Sequence, residues 1–405
     1  MKSYENNSEQ IRDEQQNAVE FRPYQNPEEM TDLERIEDCE LEIVAENSDV
    51  LGYNIDSKVI VNPERYAQAT KAKEYLEAGG DMGILVAKYG QPAEKIRAAI
   101  DEELSKADDL DEVLNKLPEG VKLRVHPFGP ISPFSIEKAV HRDEEGNIVA
   151  HIDNEAIAQV QKMKEKAGDT DLTVVMNPFH RDENGEGTSN IPDDSAEYIA
   201  LCDAFVNQSG YGESNGKGLV IELGNECNLC EKHGDAFKTG AFAESVEPDK
   251  YAKLYFETAK ALKAKYPDLK ISLAGTGFND KNWVETVVRG IQRRKEDEAV
   301  EQNLIDIISV HPYRRTTEEP APEINGDEIG RGLERSFDEQ LDGLRMLADS
   351  LGAEVTIGEV SFYKKKWGES VNENEQIRNA IHGREKGYTS YIWPGDQIVK
   401  YENPN

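Results

Sequence analysis

Two short stretches each end an apolar run with a carboxylate. Residues 219–230 read LVIELGNECNLC, so the apolar run stops at Gly224 and delivers Asn225 and Glu226. Residues 355–360 read VTIGEV and deliver Glu359 in the same way. Carboxylates on two different strand ends can work on one substrate atom from opposite sides. One, protonated, hands a proton to a leaving oxygen, while the other, ionised, stabilises or attacks the electron-poor carbon left behind; glycoside hydrolysis requires this pair. The first stretch also allows a different reading, because Cys227, Cys230 and His233 have the spacing of half a zinc site. A structural zinc takes four ligands, and the fourth is not evident. Cys202 falls on the apolar face of a helical pattern, and Cys39 lies in an acidic N-terminal region. The thiols are therefore read as incidental to a loop after the strand, with no metal and no cofactor expected.

These residues must be held by a scaffold, and from Val121 onward the chain shows one. Short β-branched runs (VKLRV from 121, LTVVM from 172, LVIEL from 219, ISLA from 271, IDIISV from 305, VTIG from 355 and TSYIW from 389) alternate with helical patterns. The helical patterns include Tyr198, Ile199, Cys202, Phe205, Val206; Trp283, Val284, Val287, Val288, Ile291; Leu341, Leu344, Leu347, Leu351, closed by Gly352; and Ile377, Ala380, Ile381, Arg384. Apolar strands alternating with amphipathic helices imply a parallel sheet wrapped by helices. An eighth strand is expected from residues 51–62 or 82–88. Polar residues stand at nearly every strand end: Arg124 and His126, Asn177 and His180, Asn225 and Glu226, His311 and Tyr313, Glu359, and Trp393. An open sheet would gather them at one switch point, whereas a closed barrel spreads them around its C-terminal mouth. The expected fold is an α/β (β/α)₈ TIM barrel with an N-terminal, partly helical extension. Residues 1–40 read as a polar, flexible tail, 41–116 as a mostly helical segment that can supply the first strand, and 117–405 as the barrel. The glycine-rich stretch 209–219 precedes its strand, so it reads as a mobile connection rather than a dinucleotide loop.

In this order the motifs resemble glycoside hydrolase clan A, retaining enzymes on a (β/α)₈ barrel, and are similar to its families 5, 39 and 53. The clan's signature is Asn-Glu at the end of strand four and Glu at the end of strand seven, matched by Asn225-Glu226 and Glu359. His311-Pro312-Tyr313 matches the His-x-Tyr that often closes strand six in family 5, Arg124 the strand-two arginine, and Trp393 the strand-eight tryptophan. Strand three offers His180 and Asn177 where family 5 often has a histidine. The resemblance covers roughly residues 121–398 and implies a glycosidase acting on β-linked oligo- or polysaccharide by double displacement. It makes Glu359 the nucleophile, held ionised by Arg124 and a hydrogen bond from Tyr313, and Glu226 the acid/base. It also gives Asn225 the sugar 2-hydroxyl, places His311 near the same subsite, and stacks Trp393 on the ring. The carboxylates are expected about 5–5.5 Å apart, the retaining geometry. His126 is read as a loop cap.

Two other functions compete. A metal-dependent barrel hydrolase would carry His-x-His on its first strand, and none of the 7 histidines makes that motif. A non-catalytic carbohydrate-binding barrel would have no need to keep both carboxylates. The 405 residues include 80 acidic and 47 basic ones, for a formal net charge of -33. Such a charge repels phosphates, so neither nucleic acid nor an anionic membrane is an expected partner, and a carbohydrate substrate is. No apolar run approaches the ~18 residues that span a bilayer, and no signal peptide is seen, so a cytoplasmic protein is expected; no oligomeric state is assigned.

Overall fold

The computed structural model describes residues 51–55, 63–117, 119–126, 133–178, 191–192, 194–228, 246–277, 280–311, 337–359 and 388–392. All lie in one compact unit, Asn47–Asn405. The strands are β1 (Leu51–Ile55), β2 (Lys122–Val125), β3 (Val140–Arg142), β4 (Ile148–Ala150), β5 (Leu172–Met176), β6 (Leu219–Asn225), β7 (Lys270–Gly277), β8 (Ile307–His311), β9 (Glu354–Ile357) and β10 (Thr389–Ile392). Eight of them close a barrel in the order β1-β10-β9-β8-β7-β6-β5-β2, every pair parallel. The chain is a (β/α)₈ barrel. α4 (Ile136–Ala139) leads into β3 and β4, which form a separate antiparallel hairpin. Among the described residues no helix is long and apolar enough to cross a membrane.

The helices on the barrel show why parallel strands read as unbroken apolar runs: both faces are covered. α5 (Asn154–Ala167) turns Ile157, Val160 and Met163 inward. α6 (Ala196–Gln208) buries Tyr198, Cys202 and Phe205, α7 (Pro248–Lys265) buries Tyr251 and Tyr255, and α8 (Lys281–Asp297) buries Trp283, Val287 and Ile291. α9 (Phe337–Leu351) ends where Gly352 takes a left-handed φ of 66°, as the leucine spacing requires. Two buried tyrosines tie helices to the strand ends beneath the barrel mouth. Tyr198 donates to the Met176 carbonyl at 2.6 Å. Tyr251 donates to Leu223 O at 2.7 Å and accepts from Ala274 N–H at 2.8 Å, so it spans β6 and β7.

The first strand is residues 51–55, which pair with both β2 and β10. The other candidate, 82–88, is helical. Asp81 accepts from Gly83 N–H at 2.8 Å to start α2 (Met82–Tyr89), and Gly90 ends it at φ 65°. Leu85 packs with Ala69 and Ala72 of α1 (Pro63–Glu77) and Ile96 and Ile100 of α3 (Ala93–Lys116), a small core of its own. The glycine-rich stretch 209–219 is an anchored turn rather than a mobile one. Its carbonyls Asn215 O and Gly218 O accept from Asp268 and Leu172, each within 3.0 Å. At the seam, Gly52 faces Tyr391, whose phenol reaches across the barrel to Thr173 Oγ1 at 3.0 Å. A Cβ on Gly52 would meet that ring at 2.5 Å, so only glycine lets the tyrosine cross.

Candidate active site

A buried arginine organises the barrel mouth. Arg124, on β2, is 0% exposed. Glu222, on β6, takes it in a bidentate grip, with Nε 2.9 Å from Oε2 and Nη2 2.6 Å from Oε1. Glu222 Oε1 also accepts from Gly275 N–H at 3.0 Å. Arg124 Nη1 reaches Asn54 Oδ1 and Glu359 Oε1, each at 3.1 Å, and Nη2 reaches Asn225 Oδ1 at 3.2 Å. One guanidinium thus ties strands one, two, four and seven of the barrel together. Burial pulls its pKa down, but Glu222 and Glu359 outweigh that and raise it, so its charge is permanent.

The two carboxylates stand above this floor, each 6% exposed. Glu226 is aimed by backbone strain. Gly224 has φ 98° and Glu226 itself φ 47°, a left-handed conformation that costs a non-glycine residue about 1–2 kcal/mol. Its N–H bonds to Gly275 O at 2.7 Å, which holds the turn. His311 Nδ1 lies 3.0 Å from Glu226 Oε1, and Arg124 Nη2 lies 3.3 Å from His311 Nε2. A guanidinium can only donate, so His311 accepts at Nε2 and donates from Nδ1 to Glu226. Donor atoms of Glu226, His311 and Glu359 all lie within 4.8 Å of one another. Burial raises the Glu226 pKa, and Glu359 pushes the same way against the opposing pull of His311 and Arg124. Glu226 therefore tends to hold a proton where Glu359 sits against a fixed cation. The same three side chains could ligate a divalent ion, but the Arg124 charge 3.1 Å from Glu359 opposes a second cation there.

Of the residues marked by sequence, Arg124, Asn225, Glu226, His311 and Glu359 come together at the mouth. Asn177 follows β5, is 8% exposed, and neither atom of its carboxamide has a partner among the described residues. Tyr313, Trp393 and His180 lie outside the described residues, as do Cys230 and His233. Cys227 is buried, and burial pushes its thiol far up. His126 is not a loop cap. It is 0% exposed, with Nε2 3.1 Å from Glu359 Oε1. It lies two residues beyond Arg124, which in a strand is the same face, and that spacing was the available signal. Glu222 and Asn54 were also missed. A lone acid inside the apolar run LVIEL, opposite a strand with one buried arginine, was the clue to the first.

No protein-family model matches the chain, and no curated protein matches its sequence. Among solved structures it is similar to a monomeric beta-xylosidase from Caulobacter crescentus CB15, at 18% identity and TM-score 0.39, covering 63% of this chain and 49% of that one. It is also similar to the cellulose synthase subunit Z from Clostridioides difficile, at 14% identity and TM-score 0.41, covering 71% and 83%. A third is a family 44 endoglucanase from Clostridium thermocellum, at 13% identity and TM-score 0.37, covering 72% and 60%. The chain thus spans less than two thirds of the length of the xylosidase and the endoglucanase.

Proposed function

We propose that the protein is a retaining glycoside hydrolase acting on β-linked oligo- or polysaccharide, with Glu359 as nucleophile and Glu226 as acid/base. The observation that carries this is the facing pair of buried carboxylates. Their oxygens approach within 4.8 Å, with His311 within the same distance of both. An approach of one oxygen from each carboxylate within that distance favours the ~5–5.5 Å carboxyl spacing of retaining enzymes over the ~6.5–9.5 Å that lets an inverting enzyme fit a water. Their environments differ in the sense the chemistry requires. The Arg124 guanidinium favours an ionised Glu359, and burial favours a protonated Glu226.

In the first step a Glu359 oxygen attacks the anomeric carbon, the glycosidic bond breaks, and the leaving oxygen takes the Glu226 proton. Glu359 then carries an ester and no charge. Glu226, now ionised, takes a proton from water as that water attacks the same carbon and frees Glu359. His311 Nδ1–H steadies Glu226 in its ionised half-cycle. Asn225, held by Arg124, presents its amide N–H to the sugar 2-hydroxyl, and the unpartnered carboxamide of Asn177 offers a further contact. Tyr313, Trp393 and His180 complete the proposed substrate contacts.

The stereochemistry of azide rescue tests the assignment on aryl β-glycosides. In Glu359→Ala, azide replaces the nucleophile in one displacement and gives the α-glycosyl azide. In Glu226→Ala, azide attacks the glycosyl-enzyme and gives the β-glycosyl azide. Undiminished turnover by Glu359→Ala without azide, or the opposite pair of anomers, sinks the proposal.

A further inference from the structure

We propose that Asn228 is a positioning residue for Glu226: its carboxamide clamps the turn that carries Glu226 onto β7, and so sets the carboxyl against His311. This rests on the reading of Glu226 as acid/base. The need for a clamp comes from the backbone. Asn225 still pairs with Gly275 in the β6–β7 ladder, and Glu226 N–H still reaches Gly275 O. With φ at 47°, Glu226 then turns the chain out of the strand. A main chain that has left the pleat no longer presents its N–H and C=O to the neighbouring strand. Two residues on, the side chain of Asn228 supplies both. Its Nδ2 donates to Gly277 O and its Oδ1 accepts from Gly277 N–H, each at 3.0 Å. A carboxamide carries a donor and an acceptor side by side, as a peptide group does.

The clamp is buried and joined to a rigid element. The Asn228 amide also bonds to Asp280, whose carboxylate caps α8 by accepting from Trp283 N–H at 3.0 Å. Trp283 Nε1 in turn donates to Val246 O, and Val246 N–H to Cys227 O at 2.8 Å. The turn at 226–228 is thus held from β7, from α8 and from Val246. The β7 residues that receive it are the ones that locate His311. In the β7–β8 register Gly277 pairs with His311 itself, and Thr276 with Val310. Gly277 therefore takes Asn228 on one edge and faces His311 on the other, and the 3.0 Å contact between His311 Nδ1 and Glu226 Oε1 bridges the two. Without the carboxamide, the N–H and C=O of Gly277 lose their match. The left-handed conformation of Glu226 is then free to relax, carrying the carboxyl away from His311. Asn228 acts through Glu226 and needs no contact with substrate.

Two substitutions open the clamp. Asn228→Ala removes every bond, and Asn228→Asp keeps the acceptor but loses the donor and sets a second carboxylate against Asp280. Combining Asn228→Asp with Asp280→Asn is the rescue, because position 280 then supplies the donor and α8 keeps a good cap. Thermal unfolding identifies which variants are folded; if neither single variant folds, the double variant carries the same comparison against wild type. The first readout needs no substrate: hydrogen–deuterium exchange by mass spectrometry compares the peptide spanning Glu226 with peptides from β5 and β8. Opening the clamp is expected to raise exchange at the Glu226 turn about 10–100-fold over wild type, with β5 and β8 unchanged. The second readout is the ratio of kcat/KM for a phenyl β-glycoside to that for its dinitrophenyl analogue, whose leaving group departs without a proton. Misplacing the acid should lower that ratio about 10–100-fold, with the double variant between wild type and Asn228→Asp. The ratio does not depend on how much of a sample is folded, so a merely structural loss leaves it unchanged. A wild-type ratio in the folded variants overturns the proposal, as does a rise in exchange that β5 and β8 share, or no rise at all. Because exchange is independent of turnover, a wild type inactive on every glycoside would refute the glycosidase reading alone.

Discussion

Gly275→Ala adds one methyl group where the barrel has left none. A Cβ at this position would lie 2.7 Å from His311 Cε1 and 2.9 Å from Cδ2, and closer still to Nε2. The ring cannot swing into solvent, because His311 is 0% exposed. It must retreat by about 1 Å to reach ordinary contact, and its hydrogen bond to Glu226 is 3.0 Å at the start. A ring displaced by that much no longer keeps both the distance and the alignment of that hydrogen bond. Two costs follow. Overpacking a tight interior costs about 1–3 kcal/mol of stability. Losing a hydrogen bond to a charged group costs about 1.5–3 kcal/mol, felt when Glu226 is ionised, which corresponds to roughly 10–150-fold in the second half of the reaction. The assays are chemical denaturation and the deglycosylation rate on an activated aryl glycoside, for which formation of the intermediate is fast. A Gly275→Ala, His311→Asn double variant supplies a control: the smaller side chain should recover much of the lost stability, giving a strongly non-additive cycle. If Gly275→Ala unfolds within about 0.5 kcal/mol of wild type and deglycosylates at the wild-type rate, His311 is not wedged between Gly275 and Glu226 and the reasoning fails.

Two further outcomes are expected. Glu222→Gln removes the principal ionic partner of a fully buried arginine and should lower the unfolding free energy by about 3–5 kcal/mol; a loss below about 1 kcal/mol in urea titration would mean that Glu359 alone can balance Arg124. Glu226→Gln should change the pH dependence of stability in a definite sense. Burial raises the folded-state pKa of Glu226 above its unfolded value of about 4.3. The folded wild type therefore binds the proton more tightly, and its stability falls as pH rises from about 4.3 through the folded pKa. The amide has no such loss, so the Tm of Glu226→Gln relative to wild type should climb between pH 4 and pH 8. A difference that is flat or declining over this range contradicts the assignment of Glu226 as the proton-holding partner.

The sequence was most legible where one force dominates. Strands buried on both faces must be apolar throughout, so β5, β6, β7 and β8 stand out as runs, and polar residues at their ends were conspicuous by contrast. Short apolar segments were ambiguous. MGILVAKY has the composition of a buried strand, yet Ile84 is 58% exposed and a side-chain cap at Asp81 commits the segment to helix. Residues inside the barrel were harder to read, because a strand pattern says which residues share a face but not that a face looks onto an ion pair. Glu222 and Asn54 belong to that interior. His126 could have been assigned by parity with Arg124. Glu226 defeats parity altogether, since its positive φ breaks the two-residue alternation that would otherwise predict its direction.

Barrel closure bears on synthesis as well as on shape. Asn54, on the first strand, accepts from Arg124 and donates to Gly358 O and, on the last strand, to Tyr391 O. The floor of the site therefore uses both sides of the β1–β10 seam. A nascent chain that has emerged only as far as Glu359, just past β9, has made both carboxylates but lacks Tyr391 to close the ring around them. Stalled chains released before residue 389 should thus be silent, and the onset of activity during translation becomes a clock for the final strand docking against the first.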